Sequence, residues 1–395
     1  MRILMVVRQF YPWVGGTERQ AQKLAAKLIA AGVDVKVVTG WWFRDTPRQE
    51  TIDTIPVLRN FTCWGLFGIK GLRKFGGYIY ILSLFWQLWR QRRQYDIIHI
   101  HLLSYPAFPA VLMGKLLGKK SLIKIANSGH DSDIRRMQEN DMIPGQKQML
   151  PTTLKADKMV AVNKQIISEL QAVGIPLKRI TYIPNGVETD QVTVVNDYKV
   201  DDVATLLFVG RLHPQKGVDT LLKALARVRQ QHPATKWQLW LLGDGALRAE
   251  LEALTAQLDI ASCVQFWGKV PDVAHYLGQA DLFVLPSRAE GMSNALLEAM
   301  AHGLPCIATD IDGNVDVVQH NHNGLLVPPS DEEALAEQII RLLNNQPLRE
   351  KLGRAARSTI EAEFSIDAIT QKYIDLYDRL LEPHRQTELE LYGSH

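Results

Sequence analysis

The chain has 395 residues, 46% of them hydrophobic and 22% charged, with a formal net charge of +3. That is an ordinary globular composition, long enough for two or three domains. The absence of a concentrated Lys/Arg block argues against a nucleic-acid partner, while mild basicity suits anionic small molecules or an anionic membrane surface.

Ile3–Val7 is a predicted buried parallel strand, and the charge at Arg8 cuts the apolar run too short for a secretory leader. A helical period follows over Thr17–Ala31, then a strand over Val33–Thr39. The longest apolar stretch, Tyr78–Trp89, is shorter than the roughly 20 residues of a membrane span. Lys70, Arg73 and Lys74 precede it, and Arg90, Arg92 and Arg93 follow. Two readings stand: a core helix with charged ends, or an interfacial helix pressing aromatics into headgroups while its cations meet anionic lipid. Strands at Asp96–His101, Ser121–Ile125, Lys158–Val162 and Ile180–Ile183 alternate with helices at Ala107–Leu117 and Lys164–Val173.

The polar segment Glu188–Asp202 carries no helical period and reads as an interdomain linker. Alternation then restarts. Strands are expected at Thr205–Val209, Lys236–Leu242, Val264–Trp267, Leu282–Leu285 and Cys306–Thr309. Helices are expected at Val218–Gln230, Leu247–Leu258, Ser293–Ala301, Asp331–Asn344, Gln346–Phe364 and Ile366–Leu381. Such alternation implies right-handed crossovers and parallel sheets covered on both faces. The expected organisation is a domain over 1–190, a linker over 191–203, a second domain over 204–365, and a helix over 366–384 crossing back to the first. Open α/β sheets bind ligands at the carboxyl ends of their strands, so the chemistry belongs in the loops there, facing a central cleft.

Cys63, Cys263 and Cys306 are odd in number and far apart, against a disulfide framework or a zinc site. A reducing cytoplasm is the compartment this usage suits.

Two loops carry the strongest chemical signal. In Val209-Gly210-Arg211-Leu212-His213-Pro214-Gln215-Lys216-Gly217, Arg211 and Lys216 are placed to flank a diphosphate. In the second, from Pro286 to Met300, a turn through Glu290 and Gly291 leads into a helix near Ser293. The backbone amides of Gly291, Met292, Ser293, Asn294 and Ala295 then form an anion site at the helix start. Ser293 or Asn294 caps the helix in the plainer reading. Carboxylates suit hydroxyls better than phosphates. Glu290 is therefore matched to the hydroxyls of a sugar, and Glu298, about 7 Å beyond Ser293 along the helix, to a ribose diol.

This pattern, with Glu290 and Glu298 eight residues apart behind the Val209-Gly210-Arg211-Leu212 loop, resembles the large retaining GT-B glycosyltransferase family numbered four. Gly15-Gly16-Thr17-Glu18, Ile183-Pro184-Asn185-Gly186-Val187, Leu242-Gly243-Asp244-Gly245 and Asn323-Gly324-Leu325-Leu326-Val327 are similar to further motifs of that family, in the same order. The resemblance implies two Rossmann-like domains and a nucleoside-diphosphate sugar as donor, with UDP the commonest carrier. It implies that Gly16 presents its amide to the distal phosphate or the acceptor, and that Arg211 and Lys216 neutralise the leaving diphosphate. It implies that Glu290 holds the donor sugar, Glu298 the ribose, and the stretch around Val270 the base. It also implies retention by same-face attack assisted by the departing phosphate, with neither a metal cofactor nor a protein nucleophile.

Many relatives carry a histidine at the end of the Ser121–Ile125 strand, facing the sugar. Here the sequence reads Ala126-Asn127-Ser128-Gly129-His130-Asp131, so Asn127, Ser128 or His130 is the candidate on the sugar or acceptor side. His99 and His101, on one face of a strand by alternation, are further candidates. Asp131-Ser132-Asp133 and Asp310-Ile311-Asp312 have the form of a metal-binding triplet, but in the wrong fold context. The expected acceptor is a glycan or a lipid-linked chain, received by the aromatic segment Trp41–Gly77 at the inner face of a membrane; a packed, loop-rich insertion is the alternative. Two other activities fit two lobes of this kind: a nucleotide-sugar epimerase, and a binding protein that closes on a sugar without reacting.

Overall fold

In the computed structural model, the alternation of apolar strands and amphipathic helices resolves into two α/β units, Met1–Asn185 with Ile366–His395 and Gly186–Ser365. The structure describes residues 1–12, 15–63, 73–129, 132–139, 142–190, 192–195 and 197–392, the side chains of 73, 74 and 383–392 excepted.

The first unit is built on eight strands: β1 (Arg2–Val7), β2 (Asp34–Trp41), β3 (Gln49–Ile52), β4 (Ile55–Phe61), β5 (Ile97–His101), β6 (Lys120–Ile125), β7 (Lys158–Ala161) and β8 (Ile180–Tyr182). Their order is β3-β4-β2-β1-β5-β6-β7-β8, parallel throughout except for the β3–β4 pair. β1 sits centrally, and Ile3–Val7 are buried on both faces, as a continuous apolar strand inside a parallel sheet must be. Six helices connect these strands: α1 (Gly16–Ala30), α2 (Arg73–Arg90), α3 (Ala107–Leu116), α4 (Asp133–Gln138), α5 (Gln146–Thr153) and α6 (Lys164–Ala172).

The second unit runs β9 (Ala204–Val209), α7 (Val218–Gln231), β10 (Trp237–Leu242), α8 (Arg248–Gln257), β11 (Val264–Gly268), α9 (Val273–Leu277), β12 (Leu282–Leu285), α10 (Asn294–Ala301), β13 (Cys306–Thr309), α11 (Asp312–Val315), β14 (Leu325–Val327), α12 (Glu332–Leu343) and α13 (Gln346–Thr359). Its sheet is wholly parallel, in the order β11-β10-β9-β12-β13-β14. A π turn over Ile360–Phe364 interrupts what the sequence suggests is one helix. The last helix, α14 (Ile366–Tyr392), belongs to the first unit. It packs on α1, buries Tyr373, Leu376 and Tyr377 in the core with Leu24 and Leu28, and places Asp367 2.9 Å from Lys27.

The division between the units falls at Asn185/Gly186, so the described residues of the stretch expected as a linker, 191–203, fall within the second unit. Tyr198 is the anchor: its hydroxyl donates to Gly303 O at 2.9 Å, and the buried Arg349 guanidinium donates to its carbonyl at 2.7 Å. One aromatic and one arginine hold a stretch whose polarity suggests solvent. The helix around Tyr78–Trp89 is buried on one face and exposed on the other. Tyr80, Ile81, Leu84 and Leu88 are buried, while Phe75, Leu82, Trp86 and Trp89 are exposed.

Candidate functional site

In the second sheet the chain leaves β9 first towards β10 and later returns on the other side as β12. The carboxyl ends of β9 and β12 therefore flank the topological switch point, where open α/β sheets hold their ligands. The two loops singled out from sequence, 210–217 and 286–293, are the loops at this point.

Hydrogen bonds stitch these loops together. The Arg288 amide donates to Gln215 O at 2.7 Å, and the Gln215 side chain donates to Ala289 O at 2.9 Å. The Arg288 guanidinium donates to Pro214 O at 2.6 Å and to Asp219 Oδ2 at 2.7 Å. Sequence reasoning missed Arg288, which reads as a solvated cation and serves as the brace. Gly217 makes the approach possible: its φ is 63°, and a Cβ there would lie 2.1 Å from Pro286 O. Gly243, at the end of β10, meets the same limit, with a Cβ 1.9 Å from Gly210 O.

Within this frame Lys216 Nζ lies 2.5 Å from Glu290 Oε1. The same oxygen accepts from Ser287 Oγ at 2.7 Å. Ser287 is fully buried, and its carbonyl accepts from Thr309 Oγ1 at 2.5 Å, so the carboxylate is aimed by a chain reaching back to β13. Arg211 is exposed and, among the described residues, has neither an ion-pair nor a hydrogen-bond partner. α10 begins one residue later than expected, with Ser293 as its N-cap: Ser293 Oγ accepts the Leu296 amide at 3.4 Å. Gly291, Met292 and Ser293 are buried; Asn294 and Glu298 are half-buried. Val270, half-buried, follows β11 and lies two strands from β9.

The carboxyl edge of the first unit is arranged differently. Gly16 opens α1, and Glu18 Oε2 accepts the Gly15 amide at 3.1 Å, fixing the turn into the helix. His99 and His101 share one face of β5, with rings stacked 4.2 Å apart. Both are buried; His99 Nδ1 meets Tyr377 Oη at 2.7 Å, whereas neither ring nitrogen of His101 has a hydrogen-bond partner among the described residues. Burial holds both imidazoles well below their usual titration range. Lys124, in register with His101 on β6, donates to Asn185 Oδ1 at 2.9 Å, and burial brings its amine down to about 7. No sequence signal marked Lys124, because only the parallel pairing of β5 with β6 brings it beside His101.

Asn127 spends its side-chain amide on Asp133 Oδ1 at 2.8 Å. Asp133 Oδ2 accepts the Ala126 amide at 2.9 Å and the Asn127 amide at 3.3 Å. Burial raises the Asp133 carboxyl to about 6 against these hydrogen bonds. Asp133 thus braces the loop after β6. Ser128 accepts from Asn163 Nδ2 at 2.9 Å. His130 and Asp131 lie outside the described residues.

The geometry of the second unit offers a cation beside a carboxylate, at a helix start and a switch point. Comparison with known proteins bears on the fold and the family. Residues 203–345 match the model of the glycosyl transferases group 1, and residues 14–191 that of Glycosyltransferase Family 4. The chain is 26% identical to an uncharacterized glycosyltransferase of Methanocaldococcus jannaschii, over 97% of this chain and 99% of that one. In fold it is similar to sucrose-phosphate synthase from Thermosynechococcus elongatus, at a TM-score of 0.80, 24% identity and coverage of 97% and 99%. It is similar also to the Anabaena protein HepE solved with UDP-glucose, at a TM-score of 0.75, 18% identity and coverage of 96% and 100%.

Proposed function

The chain belongs to the group 1 glycosyltransferases and has the GT-B fold, and from that premise we propose that it moves a hexosyl unit from a nucleoside-diphosphate sugar, with retention, onto a glycan or lipid-linked acceptor in polysaccharide synthesis. The observation that carries this reading is the Lys216–Glu290 pair beside the start of α10. A cation and a carboxylate in contact match the junction of a sugar diphosphate, which has phosphate charge on one side and hydroxyls on the other. With donor bound, Lys216 exchanges the carboxylate for phosphate and Glu290 exchanges the ammonium for sugar hydroxyls.

Departure of the diphosphate builds negative charge on its oxygens. Preformed donors lower that barrier, each typically contributing about 100- to 1000-fold in rate. Arg211, Lys216 and the amides from Gly291 onward take that role, so the reaction runs without a metal. The departing phosphate accepts the proton of the attacking acceptor hydroxyl on the same face. Glu298 holds the ribose, the segment around Val270 the base, and Gly16 the distal phosphate or the acceptor. A UDP-sugar is the favoured donor, because a neighbour in fold has been solved with UDP-glucose. Among the described residues no helix is long and apolar enough to cross a membrane; the enzyme works on the cytoplasmic side, resting peripherally on the inner face.

A donor screen by heat denaturation tests this. A ligand at 100 times its dissociation constant stabilises by about 2.7 kcal/mol. UDP or its sugar should raise the melting temperature, and Arg211→Ala or Lys216→Ala should abolish the shift. If UDP, GDP, ADP and their sugars all leave the melt unmoved, the reading fails.

A further inference from the structure

The outer face of α2 has no place in the transfer chemistry. Phe75, Leu82, Trp86 and Trp89 are 56%, 68%, 60% and 46% exposed. Their spacing of seven, four and three residues lines them along one helical stripe about 21 Å long. The opposite face is already satisfied, since Tyr80, Ile81, Leu84 and Leu88 are buried. A surface helix ordinarily turns charge outward; one apolar on both faces needs a second apolar environment.

Charge says what that environment is. Between Asp53 and Asp96 the sequence has no Asp or Glu, while it carries Arg59, Lys70, Arg73, Lys74, Arg90, Arg92 and Arg93. In the sequence, cations precede and follow the stripe, so pairing it with a second copy would set like charges together in either direction. An anionic bilayer neutralises both ends. Trp86 and Trp89 lie with ring centroids 5.3 Å apart, and the Arg92 guanidinium sits 4.6 Å over the Trp89 ring. Indoles with cations beside them suit the headgroup layer, where the ring is buried and the charge stays wet.

Just past the C-terminal end of α2 lies a cavity of about 320 Å³ whose lining includes Arg2, Lys36, Arg93, Gln91, Gln94 and Asp34. Arg2 is held by Asp96 at 2.6 Å, and Lys36 donates to Gln94 Oε1 at 3.3 Å. The cavity is therefore cationic and rich in amide donors, and it adjoins the end of the aromatic stripe.

We propose that α2 is a membrane-docking helix: its Phe75–Trp89 stripe lies in the interface of an anionic bilayer, and the cavity at its end receives a lipid phosphate headgroup. The inference deepens the reading of a membrane-held acceptor and rests on it for its purpose, but not for its test.

The test uses the full chain without nucleotide, sedimented with vesicles of phosphatidylcholine alone or mixed with phosphatidylglycerol. The chain should pellet with the mixed vesicles, far less with pure phosphatidylcholine, and less as salt is raised. The Trp86→Ser/Trp89→Ser variant should lower binding about tenfold. The Lys36→Glu/Arg93→Glu variant should lower it by about fivefold or more for each cation, and remove the preference for anionic lipid. Unchanged melting temperatures confirm that the variants fold. The proposal is overturned if the parent chain leaves mixed vesicles unbound, or if both variants bind undiminished. It is equally overturned if the parent is a dimer that the Trp substitutions dissociate and that ignores lipid. A nucleotide-induced shift in the melt without vesicle binding sinks the docking surface alone; vesicle binding without that shift sinks the donor reading alone.

Discussion

In the second unit, the strand ends at the switch point carry Lys216, Glu290 and Arg211 on loops, partly exposed and able to change partners. In the first unit the corresponding edge carries His99, His101 and Lys124 within the strands themselves, buried, with His99 against Tyr373 and Tyr377 of α14. The plan is the same: a parallel sheet whose chain reverses direction beside its first strand. The difference lies in where polar residues fall. On a loop past the strand end, ionisable groups stay within reach of solvent and can trade one partner for another. Inside the strand, burial drives the same groups neutral. Chemistry on a charged leaving group belongs to the first arrangement, and a polar row under a covering helix serves the second.

The sharpest way to break this comparison is at Glu290. If its carboxylate handles sugar hydroxyls, Glu290→Ala should cut turnover about 100- to 1000-fold while the nucleotide-induced rise in melting temperature persists. Turnover with labelled donor and the melt are measured on the same variant. If both vanish together, Glu290 merely positions Lys216, and the edge offers one functional charge rather than two.

A smaller effect tests the claim that the second edge depends on close backbone approach. At Gly217, φ is 63° and a Cβ would lie 2.1 Å from Pro286 O; at Gly32, φ is 83° with nothing within 4 Å. Both substitutions to Ala carry backbone strain of about 1–3 kcal/mol. Only Gly217→Ala also forces the two loops apart. By calorimetry it should lower the melting temperature by about 5–10 °C and Gly32→Ala by less than half as much. Equal losses would mean that the loops tolerate separation, and that the pairing across them is loose.

Much of this was legible in the chain. Central strands such as β1 and β9 show as continuous apolar runs because parallel sheets bury both faces, and the two loops at the switch point show because glycine and charge mark them. What escaped notice did so for physical reasons. β3 is four residues long and half-exposed, so it carries no apolar run. α5 contains Pro151, which reads as a breaker. The contact between Lys216 and Glu290 joins positions 74 residues apart, and only the strand order brings their loops together. Tyr198 and Arg349 likewise meet across distant sequence to anchor a stretch whose polarity suggests solvent. The histidines of β5 were noticed as alternating, but alternation does not say that a helix from the far end of the chain covers them.

Lys124 sharpens the comparison from the buried side. Its amine titrates at about 7 in the folded chain and near 10.4 when unfolded. Between these values the unfolded chain holds a proton that the folded chain lacks, so folding becomes more favourable as pH rises through that window. The full slope is about 1.4 kcal/mol per pH unit, giving roughly 2 kcal/mol from pH 7 to 9. His99 and His101, held below their usual range, act only below about pH 6.5, and Asp133 acts below about 6 with the opposite sign. Tyr373 and Tyr377, raised by burial, act only above about pH 10. Chemical denaturation at pH 7, 8 and 9 should therefore show the parent chain gaining stability relative to Lys124→Met, which keeps the side-chain length and loses the titration. Parallel curves for the two would mean that Lys124 stays charged in the fold. The first unit would then hold a charged amine within its strands, and the division of labour between the two edges would have to be given up.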